Sequence, residues 1–324
     1  MGDITIEQSQ GSFFKPLREF CSTLIGKGIQ SERLVTLDEK IRELTSHKEK
    51  IKVTGTKIDN FCLLVQEINP YHTNEEFAKQ NGYDNRFAPG TMIASFGEQY
   101  ANGLMESINE MVNAPYFPVS CDLHFGRNPV YPETNLLWVI YGFSSSENGD
   151  LNLNIVGGDA RKLKHIEWDK TGKRDIRELG CLMDITLSQN SLSKRKEIYG
   201  ADYSKPFIID EEGINKFMEI MDEDLNKPRR FPLMYSATSL TTSLLDLSKN
   251  MIGKFSGINL GTSFEFYKTP EIGKEQKVEF FFRGDDLKNF REQSKSRYRI
   301  DAVVSQEHKP LFYCEVTVLS EKPK

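Results

Sequence analysis

The stretch Thr91-Met-Ile-Ala-Ser-Phe-Gly-Glu-Gln-Tyr-Ala-Asn-Gly-Leu-Met-Glu-Ser-Ile-Asn-Glu-Met-Val112 carries the reading of the fold. Met92, Phe96, Tyr100, Leu104, Ile108 and Met111 recur three or four apart, the apolar stripe of an amphipathic helix. Ala94, Gly97, Ala101 and Gly103 lie elsewhere on that helix and would let a sheet approach its backbone closely. Strand-type alternation follows at Val119, Cys121, Leu123 and Phe125, and again at Leu151, Leu153 and Ile155. A second helical stripe runs through Leu233, Ala237, Leu240, Leu244, Leu247 and Met251, and later strands show at Glu279-Phe-Phe-Phe282 and at Tyr298, Ile300, Ala302 and Val304. In each copy a strand-like segment leads into the long helix. The expectation is an α+β chain of two modules, each a long central helix wrapped by a curved antiparallel sheet.

Residue matches tie the two sets together. Ile58-Asp-Asn-Phe61 with Glu67 matches Ile214-Asn-Lys-Phe217 with Glu223, and Ala88-Pro89 before one helix matches Phe231-Pro232 before the other. Phe125 and Pro129 match Phe266 and Pro270, and Asp184-Ile-Thr-Leu187 matches Glu315-Val-Thr-Val318. The second copy is the shorter, chiefly between its Glu and its Pro. The polar stretch 188–206, punctuated by Gly and Pro, reads as a linker, and its Ser193-Lys-Arg-Lys196 as a solvated basic run. The division expected is a leader over 1–29, a first module over 30–190, a linker over 191–205 and a degenerate second module over 206–324.

Composition narrows the function. Lys and Arg number 42 against 47 Asp and Glu, a net charge of −5, so no basic surplus points to nucleic acid. The longest apolar runs, such as Leu136-Leu-Trp-Val-Ile140, are far short of a membrane span, and the start shows no secretory pattern. Five cysteines, at 21, 62, 121, 181 and 314, include no CxxC and none at metal spacing from a histidine. A cytoplasmic protein with no metal, no redox cofactor and no membrane partner is expected.

The chemistry lies in Val65-Gln-Glu-Ile-Asn-Pro-Tyr-His-Thr-Asn-Glu-Glu-Phe-Ala-Lys-Gln-Asn-Gly-Tyr83, continuing through Arg86-Phe-Ala-Pro-Gly-Thr-Met92. An acidic residue, then Asn-Pro-x-His, a short helix, and a Gly opening the long helix resemble the signature of the MaoC-like, (R)-specific enoyl-CoA hydratase and dehydratase family. The resemblance is close over about 58–132. It implies the hot-dog fold, here as two modules pairing like a hot-dog dimer, and a hydro-lyase acting on trans-2-enoyl and (3R)-3-hydroxyacyl thioesters of CoA or acyl carrier protein. By this likeness Glu67 takes the catalytic carboxylate position, His72 the histidine, Gly90 the oxyanion-binding glycine, and Asn69 the asparagine that orders the site. The family usually has Asp where this chain has Glu67.

The residues suit that chemistry. Hydrating an α,β-unsaturated thioester needs a water deprotonated at Cβ and a proton delivered at Cα, work for an imidazole and a carboxylate on one water. Glu67 and His72 are read on a strand-to-helix turn facing one cleft, and the N–H groups where Gly90 opens its helix can hold the thioester oxygen. Pro89 and Tyr71 flank these positions and join Arg86 and Arg127 as substrate-binding candidates, the arginines for CoA or phosphopantetheine phosphates. Solvation is the plainer reading of each arginine. Thr73-Asn-Glu-Glu76 also spells a capping box, which would make the motif merely a helix entry. A non-catalytic acyl-thioester-binding pseudoenzyme and a hot-dog thioesterase stay open beside the hydratase. With both modules in one chain, a monomer or a homodimer is expected.

Overall fold

The structure is a computed structural model and describes residues 51–110, 115–126, 128–146, 148–163, 180–189, 200–222, 233–252, 258–292 and 297–319. The leader, Arg127, Glu223, Phe231, Pro232 and the basic run of the linker lie outside these residues.

The first half runs β1 (Ile51–Val53), α1 (Gly55–Leu64), α2 (Pro70–Thr73), α3 (Glu75–Gln80), α4 (Gly90–Asn109), β2 (Phe117–Phe125), β3 (Thr134–Ser145), β4 (Leu151–Asp159), α5 (Ala160–Leu163) and β5 (Gly180–Ser188). The second runs β6 (Tyr203–Ile208), α6 (Glu211–Ile220), α7 (Leu233–Ile252), β7 (Ile258–Phe266), β8 (Glu275–Phe282), α8 (Asp286–Arg291), β9 (Arg297–Gln306) and β10 (Lys309–Leu319). All ten strands form one sheet in the order β1-β3-β4-β5-β2-β7-β10-β9-β8-β6. The order within one half is mirrored in the other about the antiparallel β2–β7 seam, where Cys121 faces Phe264 and Leu123 faces Thr262.

Matched residues occupy matched places. Phe125 and Phe266 end the two seam strands, and the Asp184 and Glu315 segments lie on β5 and β10, the strands that flank the seam pair. Ile58 and Phe61 are buried on α1, Ile214 and Phe217 on α6, and the two phenylalanine rings meet at 6.2 Å. The strand-like reading ahead of each long helix is corrected here. Only three residues of the first such segment are strand. Ile58, Phe61 and Cys62 fall at helical spacing, and Thr54 caps α1 by accepting from Lys57 N–H. The second half repeats this with Asp210 as the cap of α6. Strand β6 also takes Tyr203–Lys205 from the stretch read as linker, because β8 pairs with it.

The helical stripes are buried as expected, with Met92, Phe96, Leu104 and Ile108 on α4 and Ala237, Leu240, Leu244 and Leu247 on α7. Both helices share one hydrophobic core that spans the halves. The glycines of α4 set how closely the sheet packs. A Cβ on Gly97 would fall 2.3 Å from Met183 Sδ and 2.6 Å from the Trp138 ring, and one on Gly157 of β4 would fall 2.3 Å from the same ring. The indole thus packs against both a helix glycine and a strand glycine. Gly97→Ala is expected to cost about 1–2 kcal/mol despite alanine's better helix propensity, because the flat Trp138 ring has nowhere to retreat. A denaturant melt checks this, and a variant as stable as the parent would contradict the packing argument.

Candidate active site

The site begins where α1 ends. Val65 is the C-cap, and Gln66 follows in the left-handed region at φ 53. Gln66 N–H donates to Leu63 O at 3.3 Å and Glu67 N–H to Cys62 O at 2.8 Å, the paired bonds of a Schellman turn. This turn sends the Glu67 side chain inward, 6% exposed, while Ile68 beside it stays 52% exposed. Motif and turn are therefore a helix-to-helix connection, not the strand-to-helix turn read from the sequence. The second half repeats the geometry at Asp222, which has φ 59 directly after α6. Thr242 of α7 braces the first turn by donating its hydroxyl to Val65 O at 2.5 Å.

Asn69 then organises the next four residues. Its backbone N–H donates to Glu67 Oε1 at 2.9 Å, and its own Oδ1 accepts from Tyr71 N–H at 3.2 Å, capping α2. Asn69 O accepts from His72 N–H at 3.0 Å, so the carboxylate and the imidazole hang on one residue. The capping box is placed one residue too early in the sequence reading. Thr73 closes α2 with its hydroxyl on Asn69 O, and Asn74 caps α3 by accepting from Phe77 N–H at 3.0 Å.

His72 is 9% exposed, and its Nδ1 lies 2.9 Å from Phe87 O. A carbonyl only accepts, so Nδ1 carries the proton and Nε2 presents its lone pair. Burial lowers the His72 pKa to about 4, against the smaller opposing effect of the Phe87 bond, so the ring is neutral at pH 7. Burial raises Glu67 to about 7, opposed by the N–H groups of Asn69 and Ile68. A neutral base and a carboxyl group poised at neutrality thus come from one turn. No hydrogen bond joins the two side chains to each other.

The segment from Tyr71 to Gly90 closes over them. Phe87 N–H donates to Tyr71 O at 3.2 Å and Ala88 N–H to Val130 O at 2.8 Å, which fixes the approach to α4. Pro89 is the N-cap of α4 and offers no capping side chain. The first N–H groups of a helix have no intrahelical partner, so they face outward at Gly90. A Cβ on Gly90 would meet the Phe125 ring at 2.7 Å, so the ring packs directly on the bare Cα and only glycine fits beneath it.

The remaining candidates are placed as follows. Tyr71 is buried and turns its ring into an aromatic cluster with Phe77, Tyr83 and Phe87 at 5.1, 5.4 and 5.9 Å, which supports the His72 backbone. Arg86 forms a two-pronged ion pair with Asp59 of α1 and donates to His72 O and Gly55 O, each at 3.3 Å. Its guanidinium thus clamps α1 to α2. Cys62, under Glu67, has its thiol pushed up to about 12 by burial first and then by the Glu67 and Asp59 charges, so it is no nucleophile at neutral pH. The sequence reading missed Asp59, the Phe87 carbonyl and Thr242, since each acts through a partner distant in the chain. No helix among the described residues is long and apolar enough to cross a membrane.

Comparison with known proteins bears on the fold and on the segment that holds these residues. Residues 42–120 match the family model of the FAS1-like dehydratase domain region, which spans Glu67, Asn69, His72 and Gly90. No curated protein matches the chain in sequence. Among solved structures, a MaoC domain protein dehydratase from Chloroflexus aurantiacus J-10-fl aligns with a TM-score of 0.56 at 9% identity, over 84% of this chain and 93% of its own. A MaoC-like dehydratase aligns with a TM-score of 0.52 at 10% identity, over 84% of this chain and 95% of its own. The 12:0-ACP thioesterase from Umbellularia californica aligns at 0.47 with 10% identity, over 73% and 88%, too distant a likeness to bear on function. Likenesses at this identity show the fold alone, that of MaoC-like dehydratases, and over residues 42–120 the chain is similar to the FAS1-like dehydratase domain region.

Proposed function

We propose that the protein is a hydro-lyase interconverting trans-2-enoyl and (3R)-3-hydroxyacyl thioesters of CoA or acyl carrier protein. In this reading the two halves are two hot-dog modules, bounded near 30–190 and 206–324, and the first carries the acid–base pair. A single chain would then suffice for a complete site.

The observation that carries the proposal is the protonation pattern around Asn69. His72 holds an Nε2 lone pair at neutral pH, and Glu67 titrates near 7. In the hydration direction Nε2 takes a proton from water as its oxygen bonds to Cβ, and the Glu67 carboxyl gives its proton to Cα. The charge that gathers on the thioester oxygen meets the N–H groups at Gly90. Elimination runs through the same states in reverse. Cα loses its proton to the Glu67 carboxylate while the imidazolium protonates the departing hydroxyl. Both directions use a pair holding one proton between its members.

That shared proton gives a pH signature. For enoyl hydration kcat/KM should be bell-shaped, with limbs near the His72 value of about 4 and the Glu67 value of about 7. A profile flat from pH 6 to 9 would contradict the assignment of Glu67 as the acid. The same assay separates the rival functions. Loss of enoyl absorbance reports hydration, release of free thiol reports a thioesterase, and binding without either reports a pseudoenzyme. The buried, thiol-protonated Cys62 leaves no cysteine nucleophile beside Glu67 among the described residues for a covalent thioesterase route.

A further inference from the structure

Each long helix reaches across to the end of the other half's first helix, and the two contacts are matched. Thr242 of α7 donates its hydroxyl to the carbonyl of Val65, the C-cap of α1, at 2.5 Å. Gln99 of α4 donates its side-chain amide to the carbonyl of Met221, the C-cap of α6, at 3.1 Å. Val65 and Met221 stand 156 residues apart, as Phe61 and Phe217 do, and Gln99 and Thr242 stand 143 apart, as Pro89 and Pro232 do. The seam follows the same rule, since Asp122 faces Ser263, 141 residues on, the spacing of Phe125 and Phe266. Residues that meet their own match lie on a pseudo-two-fold axis, so the two braces are one contact made twice.

The braced turns are alike in form. Gln66 and Asp222 are both left-handed, and each donates its N–H to the carbonyl three residues back, Leu63 O at 3.3 Å and Glu219 O at 3.2 Å. A residue other than glycine stays in that region where its surroundings hold it there. Val65 O belongs to the planar peptide that joins Val65 to Gln66. Fixing that oxygen fixes the plane of the peptide, and with it the direction in which the next side chain, Glu67, leaves the turn. A threonine inside a helix commonly turns its hydroxyl back to the carbonyl four residues earlier. Here that carbonyl, Thr238 O, lies at 3.2 Å, and Val65 O in the other half is nearer.

We propose that Thr242 is a positioning residue for Glu67, so that the second half takes part in the chemistry of the first by holding the Val65–Gln66 peptide from across the interface. The catalytic part of this statement rests on the hydro-lyase reading above. The mechanical part, that Thr242 keeps the Glu67 turn in place, does not.

Thr242→Val keeps the shape and removes the hydroxyl. A carboxylate displaced by about 1 Å loses on the order of 100-fold in rate, so kcat for enoyl hydration should fall by about 10- to 100-fold. KM should change less than about two-fold, because no group placed on the substrate is altered. Thr242→Ser should retain about half of the wild-type kcat or more, since the hydroxyl is kept. Gln99→Met removes the matched brace at the other turn and serves as the control: it should lower Tm by about as much as Thr242→Val does and leave kcat near that of the wild type. Equal loss of kcat in Thr242→Val and Gln99→Met, or no loss in the valine variant, would overturn the proposal. If the valine variant does not fold, Thr242→Ala removes the hydroxyl without pressing a methyl group on the carbonyl, and the same comparison is read from it.

Hydrogen exchange gives a readout that needs no activity. The N–H groups of Gln66, Glu67 and Asn69 should exchange about ten-fold faster or more in Thr242→Val than in the wild type, and at their wild-type rates in Gln99→Met. Unchanged exchange at these three amides in the valine variant would overturn the proposal by itself. If the wild type hydrates no enoyl thioester, the hydro-lyase reading fails, and exchange still decides whether Thr242 holds the turn.

Discussion

Glu67→Gln is expected to abolish turnover and, above pH 7, to make the protein more stable than the wild type. Burial raises the Glu67 pKa from 4.5 to about 7, so the folded state binds a proton that the unfolded chain releases between those values. Wild-type stability therefore falls as pH rises from about 4.5 to about 7, and above 7 the fold carries a buried carboxylate at full cost. At about 1.4 kcal/mol per pKa unit the penalty is about 3 kcal/mol. Glutamine keeps an oxygen to accept the Asn69 N–H and has no charge to bury. Thermal melts at pH 8 should place the variant roughly 5 °C above the parent, and the two should converge toward pH 4.5. Activity should fall by about 10²–10⁴, since the amide cannot deliver the Cα proton. A stability gap of the same size at every pH would show that Glu67 is not held near neutrality by burial. An active glutamine variant would remove it from the chemistry.

His72→Ala should be as damaging to catalysis with the opposite effect on stability. Burial lowers the His72 pKa from 6.5 to about 4, so it is the unfolded chain that takes up the extra proton as pH falls from about 6.5 to about 4. The wild type loses stability across that window, and a variant without the imidazole does not. At pH 7 the ring is neutral in the fold, and removing it instead leaves Phe87 O without its donor, a cost of about 1–3 kcal/mol. The rate loss should be about 10²–10⁴ in kcat/KM once the variant is shown by circular dichroism to be folded. If the two residues act as the proposed unit, the double variant with Glu67→Gln should be little worse than either single one. Losses that multiply would mean they act independently. If the segment were only a helix entry, His72→Ala would leave hydration untouched.

Glu67→Asp bears on the one departure from the family pattern. The carboxylate is held by the backbone N–H of Asn69, two residues on, with that of Ile68 also acting on it. An aspartate there is one methylene shorter and draws the carboxylate back toward the Schellman turn. Whether turnover rises or falls with that change tells whether the pocket is built around the longer side chain.

Much of this molecule is legible in the chain because the deciding information is local. The stripe from Met92 to Ile108 specifies a helix through spacing alone, and alternation along β2, β4 and β9 specifies strands in the same way. The motif from Glu67 through Asn69 and His72 to Gly90 lies within the segment similar to the FAS1-like dehydratase domain region. The matched Phe125 and Phe266, or Phe61 and Phe217, show that the plan occurs twice. The errors are local as well. Ile58 and Phe61 are three apart and helical, but the segment is too short and too mixed for a clear period. Gln66 adopts a left-handed turn that sequence leads one to expect of glycine, so the turn presenting Glu67 was invisible.

Tertiary structure decided what depends on partners far along the chain. The Phe87 carbonyl fixes which nitrogen of His72 is basic, and burial moves the pKa values of Glu67 and His72 in opposite directions. Asp59 ties up Arg86, which the sequence offers as a candidate for the phosphates of CoA or phosphopantetheine. Glu98, an ordinary charged residue in the sequence, becomes the cap of a helix more than a hundred residues away. Helical period and turn chemistry are set by neighbours a few residues apart, and the sequence contains them outright. Desolvation, tautomer and long-range hydrogen bonds exist only once the chain has folded, some of them within the first half and some between the two halves.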